Sequence, residues 1–416
     1  RDYDKYLADI VEAERREVGE KNEYLNESTK NSMDKRAEIL KEPKTIQNPD
    51  KATDKMQKLI NRNQSRKIHL QKVCQEMQHS LTQSYRFGRF YAKSDPENIN
   101  SSYFNINDKK YCNERYHGWY YGGGYYPKHN KSPSNNTWLM CTPPKSGTTN
   151  WQRTLISLEK DKSPEMIQDN GHLYSILPRM DGYNVKTEGN GTEKFIKDRD
   201  FRILAVRHPV ERLFSAWHDK YSKDSEDPHR GKYIGKYGPR ILAARRKAAE
   251  RDGISEEDRP KAPEGMAYSF QDFIEYWLGV VEQVPGTPGS TKTPSSSSLS
   301  DDLQLNILMN GFNHHWRLMN WQCLPCLINY DIIAKQDTID TDCELVLHQV
   351  FEIEKPEESR HRILPRYDSH VVNPLDTEIG RLDEMTKERL RRALYWDLKL
   401  FDYHYYNKIM FLLHLK

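Results

Sequence analysis

The distribution of apolar residues divides the chain into a polar N-terminal part and a longer part in which strand-like and helix-like segments alternate. Residues 1–95 are rich in Lys, Glu, Asn and Gln, and their apolar residues recur at helical spacing, as at Met56, Leu59 and Ile60. We therefore predict a polar, largely helical, stem-like region over residues 1–95 and a main domain over residues 96–416.

Three short apolar runs in the main domain predict buried strands. TWLMC (137–141) and FRILAVR (201–207) are each followed by a helical pattern, and a further strand is predicted within PCLINYDIIAK. ERLRRALYWDLKLFDY (388–403) predicts an amphipathic C-terminal helix. Repeated strand–loop–helix units favour an α/β fold with a parallel sheet, in which ligands bind beyond the carboxyl ends of the strands.

Composition and charge narrow this picture in a few places. The 64 Lys+Arg and 61 Asp+Glu nearly balance, which argues against a general nucleic-acid-binding role. A basic helical run, YGPRILAARRKAAER (237–251), is typical of a solvated face, although an anionic substrate could use it. VPGTPGSTKTPSSSSLSDD (284–302) predicts a disordered Pro/Ser-rich insertion. No stretch approaches the roughly 18–20 apolar residues of a membrane helix.

Cysteines and glycosylation sequons favour a secretory-pathway lumen. Cys323 and Cys326 form a lone C-x-x-C without a second pair at zinc spacing, so we expect a structural role and no metal. In a lumenal protein, such cysteines join other partners or each other, and Cys74, Cys141 and Cys343 are the candidates. Acceptor sequons begin at Asn26, Asn63, Asn100, Asn130, Asn135 and Asn190.

TPPKSGTTNW (142–151), here called the anion loop, connects the first buried strand to a helix expected from about Trp151. Such a loop presents unpaired backbone N–H groups and the positive end of a helix dipole. Gly147 permits close approach, Lys145 adds a charge, and the hydroxyls of Ser146, Thr148 and Thr149 add donors. The kinase pattern G-x-x-x-x-G-K-S/T is absent, so a metal-free phosphate or sulfate site is predicted.

A second anion site is predicted where the next buried strand ends. Arg207 closes that strand, Pro209 lies in the first turn of the following helix, and Ser215 lies two turns into it. Arg212 and Ser215 share a helix face. An arginine with a nearby hydroxyl suits a phosphate. Two such sites predict a nucleotide with phosphates at both ends.

These motifs resemble the sulfotransferases that use 3′-phosphoadenosine-5′-phosphosulfate (PAPS). PPKSGTTNW is similar to their 5′-phosphosulfate loop, and RHPVERLFSAW is similar to their 3′-phosphate segment. FNHHWRLMNWQCLPCLINYDIIAKQDT (312–338), SFQDFIEYWL, RKIHLQKVC and LYWDLKLFDY resemble the membrane-anchored Golgi carbohydrate sulfotransferases of the chondroitin/dermatan type. The resemblance covers roughly residues 66–405. That subgroup usually carries Val-Ala-Cys-Thr after the lysine, whereas this chain has Ser-Gly-Thr-Thr.

The resemblance implies a P-loop-like three-layer fold, with a central parallel sheet flanked by helices, and a role for each site residue. The nucleotide would be held by Pro144, Lys145, Ser146, Gly147, Thr148, Thr149 and Asn150 at the 5′ side, and by Arg207 and Ser215 at the 3′ side. Lys145 would stabilise the leaving oxygen as a catalytic residue. His172 is the expected general base, followed by His315, and then His314 and His208, since a neutral histidine suits proton abstraction.

The implied enzyme is a carbohydrate sulfotransferase of the Golgi lumen, a type II membrane protein whose N-terminal anchor is not in this chain. PAPS would be its co-substrate, without a metal, and its acceptor an anionic or neutral glycan of a glycosaminoglycan or glycoprotein. The alternatives are a sulfotransferase for a small-molecule, tyrosine or lipid acceptor, a P-loop nucleotide kinase and a non-catalytic glycan-binding relative. The oligomeric state and the acceptor hydroxyl stay open.

Overall fold

The computed structural model describes residues 54–84, 119–122, 136–160, 196, 198–259, 261, 267–282, 313–326, 328–359 and 374–404. The predicted insertion at 284–302, most of the N-terminal region and His172 lie outside these residues. Within them, no helix is long and apolar enough to cross a membrane.

A four-stranded sheet forms the centre of the fold, in the order β1 (Trp119–Gly122), β2 (Trp138–Cys141), β3 (Phe201–Val206) and β4 (Ile332–Lys335). Strands β2, β3 and β4 are parallel, with Met140 opposite Ile203 and Ile203 opposite Ile332. Strand β1 is antiparallel to β2. The parallel sheet predicted from the sequence is therefore confirmed, and an antiparallel edge strand is added to it.

One described helix precedes the strands, and the others follow β2, β3 or β4 along the chain. In order, they are α1 (Asp54–Ser84), α2 (Thr148–Lys160), α3 (Pro209–Lys220), α4 (Arg230–Arg251), α5 (Phe270–Val281), α6 (Met319–Cys323), α7 (Ile339–Gln349), α8 (Pro374–Arg381), α9 (Glu384–Ala393) and α10 (Tyr395–Leu400). Two short 3₁₀ helices cover Gln336–Thr338 and Pro356–Glu358. The helix expected from Trp151 begins at Thr148, and the single C-terminal helix expected over 388–403 is instead the pair α9 and α10.

Alternate strand residues enter two separate hydrophobic cores, one on each face of the sheet. Leu139, Leu204 and Ile333 pack with residues of α3 and α5. Met140 and Ile203 pack with residues of α2 and α7 on the other face. Because side chains of a strand alternate between faces, an apolar run without polar gaps fits a strand covered on both sides. The three-layer arrangement is thus confirmed.

Helix α1 covers the open edge of β4. Asn63 donates to the carbonyl of Asp331 at 2.9 Å and accepts from the amide of Ile333 at 3.0 Å, so its side chain replaces a neighbouring strand. Arg62 and Arg66 bind the buried carboxylate of Asp342 at 2.6 and 2.8 Å. Since Asn63 is 6% exposed and fully engaged in these bonds, its sequon is not accessible for glycosylation.

The compact unit that contains the sheet begins at Ala52. The described helix α1 belongs to this unit, although the sequence placed the boundary near residue 95. The physical reason is visible in its apolar residues, since Met56 and Leu59 enter one core and Leu70 and Val73 enter the other.

Candidate functional site

The anion loop leaves the carboxyl end of β2 and turns at once into α2. The amide of Ser146 donates to the carbonyl of Pro143 at 3.0 Å, which closes the first turn, and the amide of Trp151 donates to Gly147 at 3.1 Å. The first amides of α2 have no partner within the helix, by the geometry of any helix N-terminus. The loop therefore aims backbone donors and the positive end of the 13-residue helix at one place.

Left-handed backbone at Lys145 and Gly147 shapes this loop, with φ of 72° and 80°. A Cβ atom at Gly147 would lie 2.1 Å from Oε1 of Gln336 and 3.1 Å from Cδ1 of Ile339. The positive φ favours glycine here, and a Cβ would in addition require the side-chain tip of Gln336 to move. Lys145 bears the cost of a non-glycine residue in this region, as residues at functional sites often do.

The hydroxyls of the anion loop are placed differently from one another. Ser146 is buried, with its hydroxyl 4.0 Å from Sδ of Met319. The hydroxyl of Thr148 donates to the carbonyl of Pro143 at 2.9 Å and thus holds the turn together. Thr149 and Asn150 lie half-buried on the first turn of α2. Backbone amides and Lys145, more than the Ser146 and Thr148 hydroxyls, are the donors that this loop presents.

Lys145 forms an ion pair with Asp219, a residue near the end of α3. Lys220 lies 3.1 Å from the same carboxylate oxygen and also pairs with Asp227. Burial tends to raise the pKa of Asp219, but Lys145 and Lys220 outweigh it and hold the pKa below its ordinary value. Asp219 was not identified from the sequence. Helical spacing could have identified Asp219, because it lies four residues beyond Ser215 and seven beyond Arg212, on the same face of the helix.

Arg207 lies where β3 ends and contacts the anion loop directly. Its Nη1 donates to the carbonyl of Lys145 at 3.1 Å, and its Nε lies 3.3 Å from Oε2 of Glu211. Ser215 is half-buried two turns into α3. Because β2 and β3 are adjacent and parallel, the two predicted anion sites lie at the same edge of the sheet, as the sequence indicated.

Arg212 is a buried residue that contacts the anion loop. It is 2% exposed and donates to three backbone carbonyls: Pro144 at 2.9 Å, His314 at 2.9 Å and Arg317. One guanidinium thus joins the anion loop to the turn 313–317. Burial lowers the pKa of Arg212 to about 9, and the nearby Asp397 opposes that shift.

The carboxylate of Asp397, on α10, lies buried under the same turn. It accepts from the amides of Met319 at 2.7 Å and Asn320 at 2.9 Å, at the start of α6. Burial raises the pKa of Asp397 to about 6, although these hydrogen bonds and Arg212 act in the opposite direction. The C-terminal helices therefore support the site through a buried charge.

The described candidate bases occupy different surroundings. His208 is 8% exposed and packs edge-on to Tyr403, at 5.3 Å between ring centroids. Nδ1 of His315 lies 2.6 Å from Oδ1 of Asn313, which also accepts from the amide of His315 at 3.0 Å. Since that oxygen is an acceptor, Nδ1 carries the proton and Nε2 is the basic nitrogen of a neutral ring. His314 stacks on His315 at 4.2 Å.

Lys335 adds a cation at the carboxyl end of β4 that the sequence analysis did not identify. Its ammonium lies 4.6 Å from the centre of the Tyr403 ring and donates to the carbonyl of Asp402 at 3.2 Å. Burial, together with Arg66, lowers the pKa of Lys335 to about 8. Only the strand order places this lysine beside the two predicted anion sites, because β4 is adjacent and parallel to β3.

Two disulfides tie the C-x-x-C segment to distant parts of the chain. Cys141, the last residue of β2, pairs with Cys323, and Cys74 of α1 pairs with Cys326. Different partners for the two cysteines were among the predicted outcomes, and this one is confirmed. Cys343 is a buried thiol. The first disulfide fixes the residue immediately before the anion loop. Among the described residues, no His, Cys, Asp and Glu cluster is placed to hold a metal ion.

Comparison with known proteins agrees with this fold class. Residues 133–404, well over half of the chain, match the family described as "Sulfotransferase family". The chain therefore belongs to the sulfotransferase family, as the resemblance of its two loops indicated. No solved structure matches this chain significantly.

Its relatives carry more specific names. The chain is 26% identical over 271 residues to carbohydrate sulfotransferase 8 of Mus musculus, an alignment covering 64% of this chain and 54% of the relative. It is 25% identical to carbohydrate sulfotransferase 11 of Rattus norvegicus over 53% of this chain and 52% of the relative. It is 26% identical to carbohydrate sulfotransferase 9 of Homo sapiens over 65% and 50%, respectively. The chain spans about half the length of the curated relatives it matches.

Proposed function

We propose that this protein is a carbohydrate sulfotransferase that moves a sulfuryl group from PAPS to a hydroxyl of a glycosaminoglycan or glycoprotein glycan. Membership of the sulfotransferase family supports the reaction class. The names of the relatives, all carbohydrate sulfotransferases, support a glycan acceptor over a small-molecule, tyrosine or lipid acceptor.

The observation that carries the proposal is the left-handed bend of the anion loop at the carboxyl end of β2. Lys145, Gly147 and the first turn of α2 form a set of donors, and the carboxylate of Asp219 pairs with Lys145. Phosphate and sulfate groups fit such a set, because backbone amides, a helix N-terminus and an ammonium all favour an anion.

Residues of this chain would bind the two ends of the donor. Pro144 to Asn150 hold its 5′-phosphosulfate in this proposal, chiefly through backbone amides. Arg207 and Ser215 hold its 3′-phosphate, and Arg207 also contacts the carbonyl of Lys145, so the two halves of the site are directly connected. The donor supplies the sulfuryl group, and the chain supplies fixed positive charge around it.

Lys145 would stabilise the negative charge that develops on the leaving oxygen. A lysine suits this task as a compact point charge on a flexible stem. Its pairing with Asp219 keeps the ammonium at the mouth of the loop while leaving it exchangeable, since Asp219 is 37% exposed. Asp219 itself is a weak base, because its pKa is held below the ordinary value, so it suits positioning better than proton abstraction.

The acceptor hydroxyl must lose its proton to a base. His172 is the first candidate for this base, as proposed from the sequence. His315 is the described alternative, because its hydrogen bond to Asn313 leaves Nε2 as the proton acceptor. Arg212 joins the turn that carries His315 to the anion loop, which places a basic nitrogen on a segment attached to the donor site.

Two disulfides and the sequons that lie outside the described residues support a lumenal location. We place the protein in the Golgi lumen, as a type II membrane protein. An anionic or neutral glycan is its expected partner, and nucleic acid is not.

Transfer of radiolabelled sulfate from PAPS to desulfated chondroitin and dermatan, with small phenols as the competing class, tests the proposal. We expect label in the glycan and a thermal shift with 3′,5′-diphosphoadenosine that exceeds the shift with ATP. Lys145→Ala should nearly abolish turnover, by about 10²-fold or more, whereas Lys223→Ala, at an exposed position just after α3, should not. Stabilisation by ATP with magnesium and none by the diphosphate would favour a kinase and overturn the proposal.

His172→Ala and His315→Ala separate the two candidate bases. The variant that removes the base should lose kcat and the acidic limb of the kcat–pH profile, while its affinity for the diphosphate stays near wild type. If both variants keep the profile, neither histidine is the base. Diphosphate binding without turnover on any acceptor would point to a non-catalytic relative.

A further inference from the structure

Helix α4 carries an outward-facing row of cations, formed by Lys232, Lys236, Arg240 and Lys247, here called the basic stripe. All four side chains are exposed. At 100° per residue they fall within an arc of about 80°. The buried residues Ile234, Tyr237, Gly238 and Ile241 lie on the opposite side of the helix. From Lys232 to Lys247 the stripe extends about 22 Å at 1.5 Å per residue.

The stripe contains no compensating carboxylates of its own. Residues 228–249 include no Asp or Glu, although the whole chain is close to neutral. By contrast, in α9 Glu388 pairs with Arg391 and Arg392, and Glu384 pairs with Lys387. Among the described residues, no carboxylate pairs with Lys232, Lys236 or Lys247. A surface helix without such pairs gives up their small stabilisation.

The arginines of α4 that face α5 form ion pairs with its carboxylates. Arg245 lies 3.0 Å from Asp272, and Arg251 lies 3.7 Å from Glu275, both carboxylates of α5. Within the stripe, Arg240 is exposed but engaged with the protein, since it lies over the Tyr237 ring, at 5.8 Å from its centre, and hydrogen-bonds to Tyr276. The helix therefore neutralises the charges that fix it to α5 and leaves the lysines of the stripe open to solvent.

The N-terminal end of the stripe lies a few side chains from the anion loop. Tyr233, next to Lys232, has its ring 4.7 Å from the ammonium of Lys220 and 5.5 Å from the ring of His315. Lys220 in turn shares Asp219 with Lys145. A chain lying along the stripe would thus have one end at the residues proposed for sulfuryl transfer.

From these observations we infer that the basic stripe binds a polyanionic glycan, with repeated carboxylate or sulfate groups, and leads it to the transfer site. The inference rests on the proposed function and specifies its acceptor as an anionic chain rather than a neutral one. A row of exposed ammonium groups, about 22 Å long, fits a linear polymer better than a compact anion. Such charges raise local substrate concentration and association rate in a salt-dependent way.

The test is a triple variant, Lys232→Gln, Lys236→Gln and Lys247→Gln, which removes charge and keeps side-chain length. The matched control is Lys55→Gln, Lys58→Gln and Lys355→Gln, which removes the same charge from lysines that pair with carboxylates elsewhere. Desulfated chondroitin is the anionic acceptor, and a short neutral N-acetylgalactosamine oligosaccharide is the neutral one. Direct binding of chondroitin and of heparin is measured at several salt concentrations.

In the stripe variant, we expect KM and Kd for chondroitin to rise about tenfold or more at low salt, and the salt dependence of binding to weaken. Turnover of the neutral oligosaccharide and the Kd for 3′,5′-diphosphoadenosine should stay at wild-type values, which also shows that the variant is folded. Equal losses in the control variant, or unchanged chondroitin binding in the stripe variant, would overturn the inference.

Three further outcomes separate this inference from the proposed function. If wild type transfers sulfate to the neutral oligosaccharide but binds no polyanion, the stripe inference fails and the function stands. If wild type binds chondroitin through the stripe but transfers to no glycan, the function fails and the polyanion site stands. If the stripe binds heparin but not chondroitin, it is a site for a non-acceptor polyanion, and the acceptor inference fails.

Discussion

Replacing Arg212 by methionine should destabilise the protein and loosen the donor site together. The change keeps an unbranched side chain but removes the donors to the carbonyls of Pro144, His314 and Arg317. It also leaves Asp397, a carboxylate that is 2% exposed, without its nearby positive charge. The guanidinium that joins the anion loop to the turn 313–317 would then be lost.

The size of the effect follows from these contacts. Each buried acceptor left without a donor costs about 1–3 kcal/mol, and removal of one partner of a buried charge pair costs about 3–5 kcal/mol. Relaxation and water entry offset part of this, as does the burial cost that the lost guanidinium no longer bears. We expect the free energy of unfolding to fall by about 3–5 kcal/mol.

Denaturant unfolding with the disulfides intact, and calorimetric titration with 3′,5′-diphosphoadenosine, measure the two consequences of Arg212→Met. Arg207→Met is the matched control, because Arg207 is 27% exposed and contacts one backbone carbonyl and Glu211. It should lose nucleotide affinity with a stability change near 1 kcal/mol. A stability loss below about 1 kcal/mol in Arg212→Met would refute the account of Arg212 as the link between the two segments.

Three other predictions concern the loop, a disulfide and pH. Gly147→Ala should weaken diphosphate binding, because alanine is strained at a φ of 80° and its Cβ would also force the side-chain tip of Gln336 to move; wild-type affinity in a titration would contradict this. Cys74→Ser with Cys326→Ser should lower stability by about 2–5 kcal/mol, because that disulfide closes a separation of 252 residues, and an unchanged denaturation midpoint would argue against it. The folded-state pKa of Asp397, about 6, lies above its ordinary value of 3.8, so its contribution to stability is fully present below about pH 4 and is lost as pH rises through 6. The stability difference between wild type and Asp397→Asn should therefore shift against wild type over that range, by on the order of 2–3 kcal/mol, and a flat difference would show that Asp397 does not titrate there.

The sequence was sufficient for the three parallel strands and for the loops that follow β2 and β3, but not for the edge strand β1. β2 and β3 are apolar without polar gaps, because both of their faces are covered, and a loop of Gly, Lys and hydroxyl residues after such a strand has few structural uses other than anion binding. Those features are local, so a reading of neighbouring residues finds them. The same locality explains why the helix start at Thr148 and the division between α9 and α10 were missed by a few residues.

Other features depend on contacts between residues far apart in the chain. Asn63 reads as a glycosylation sequon, yet it replaces a missing strand beside β4. The sequence suggests Arg212 as a phosphate ligand, yet its Nε, Nη1 and Nη2 atoms donate to backbone carbonyls within the protein.

What the sequence by itself determined is the α/β class, the position of the two predicted anion-binding loops at the ends of neighbouring strands, and the sulfotransferase family. Hydrophobic periodicity and short motifs carry that information within about ten residues. Only the tertiary structure decided that Asp219 pairs with Lys145, that the turn bearing His315 is joined to the anion loop, and that the lysines of α4 form one exposed row. Each of these depends on which helix faces which strand, and packing of the whole chain sets that arrangement.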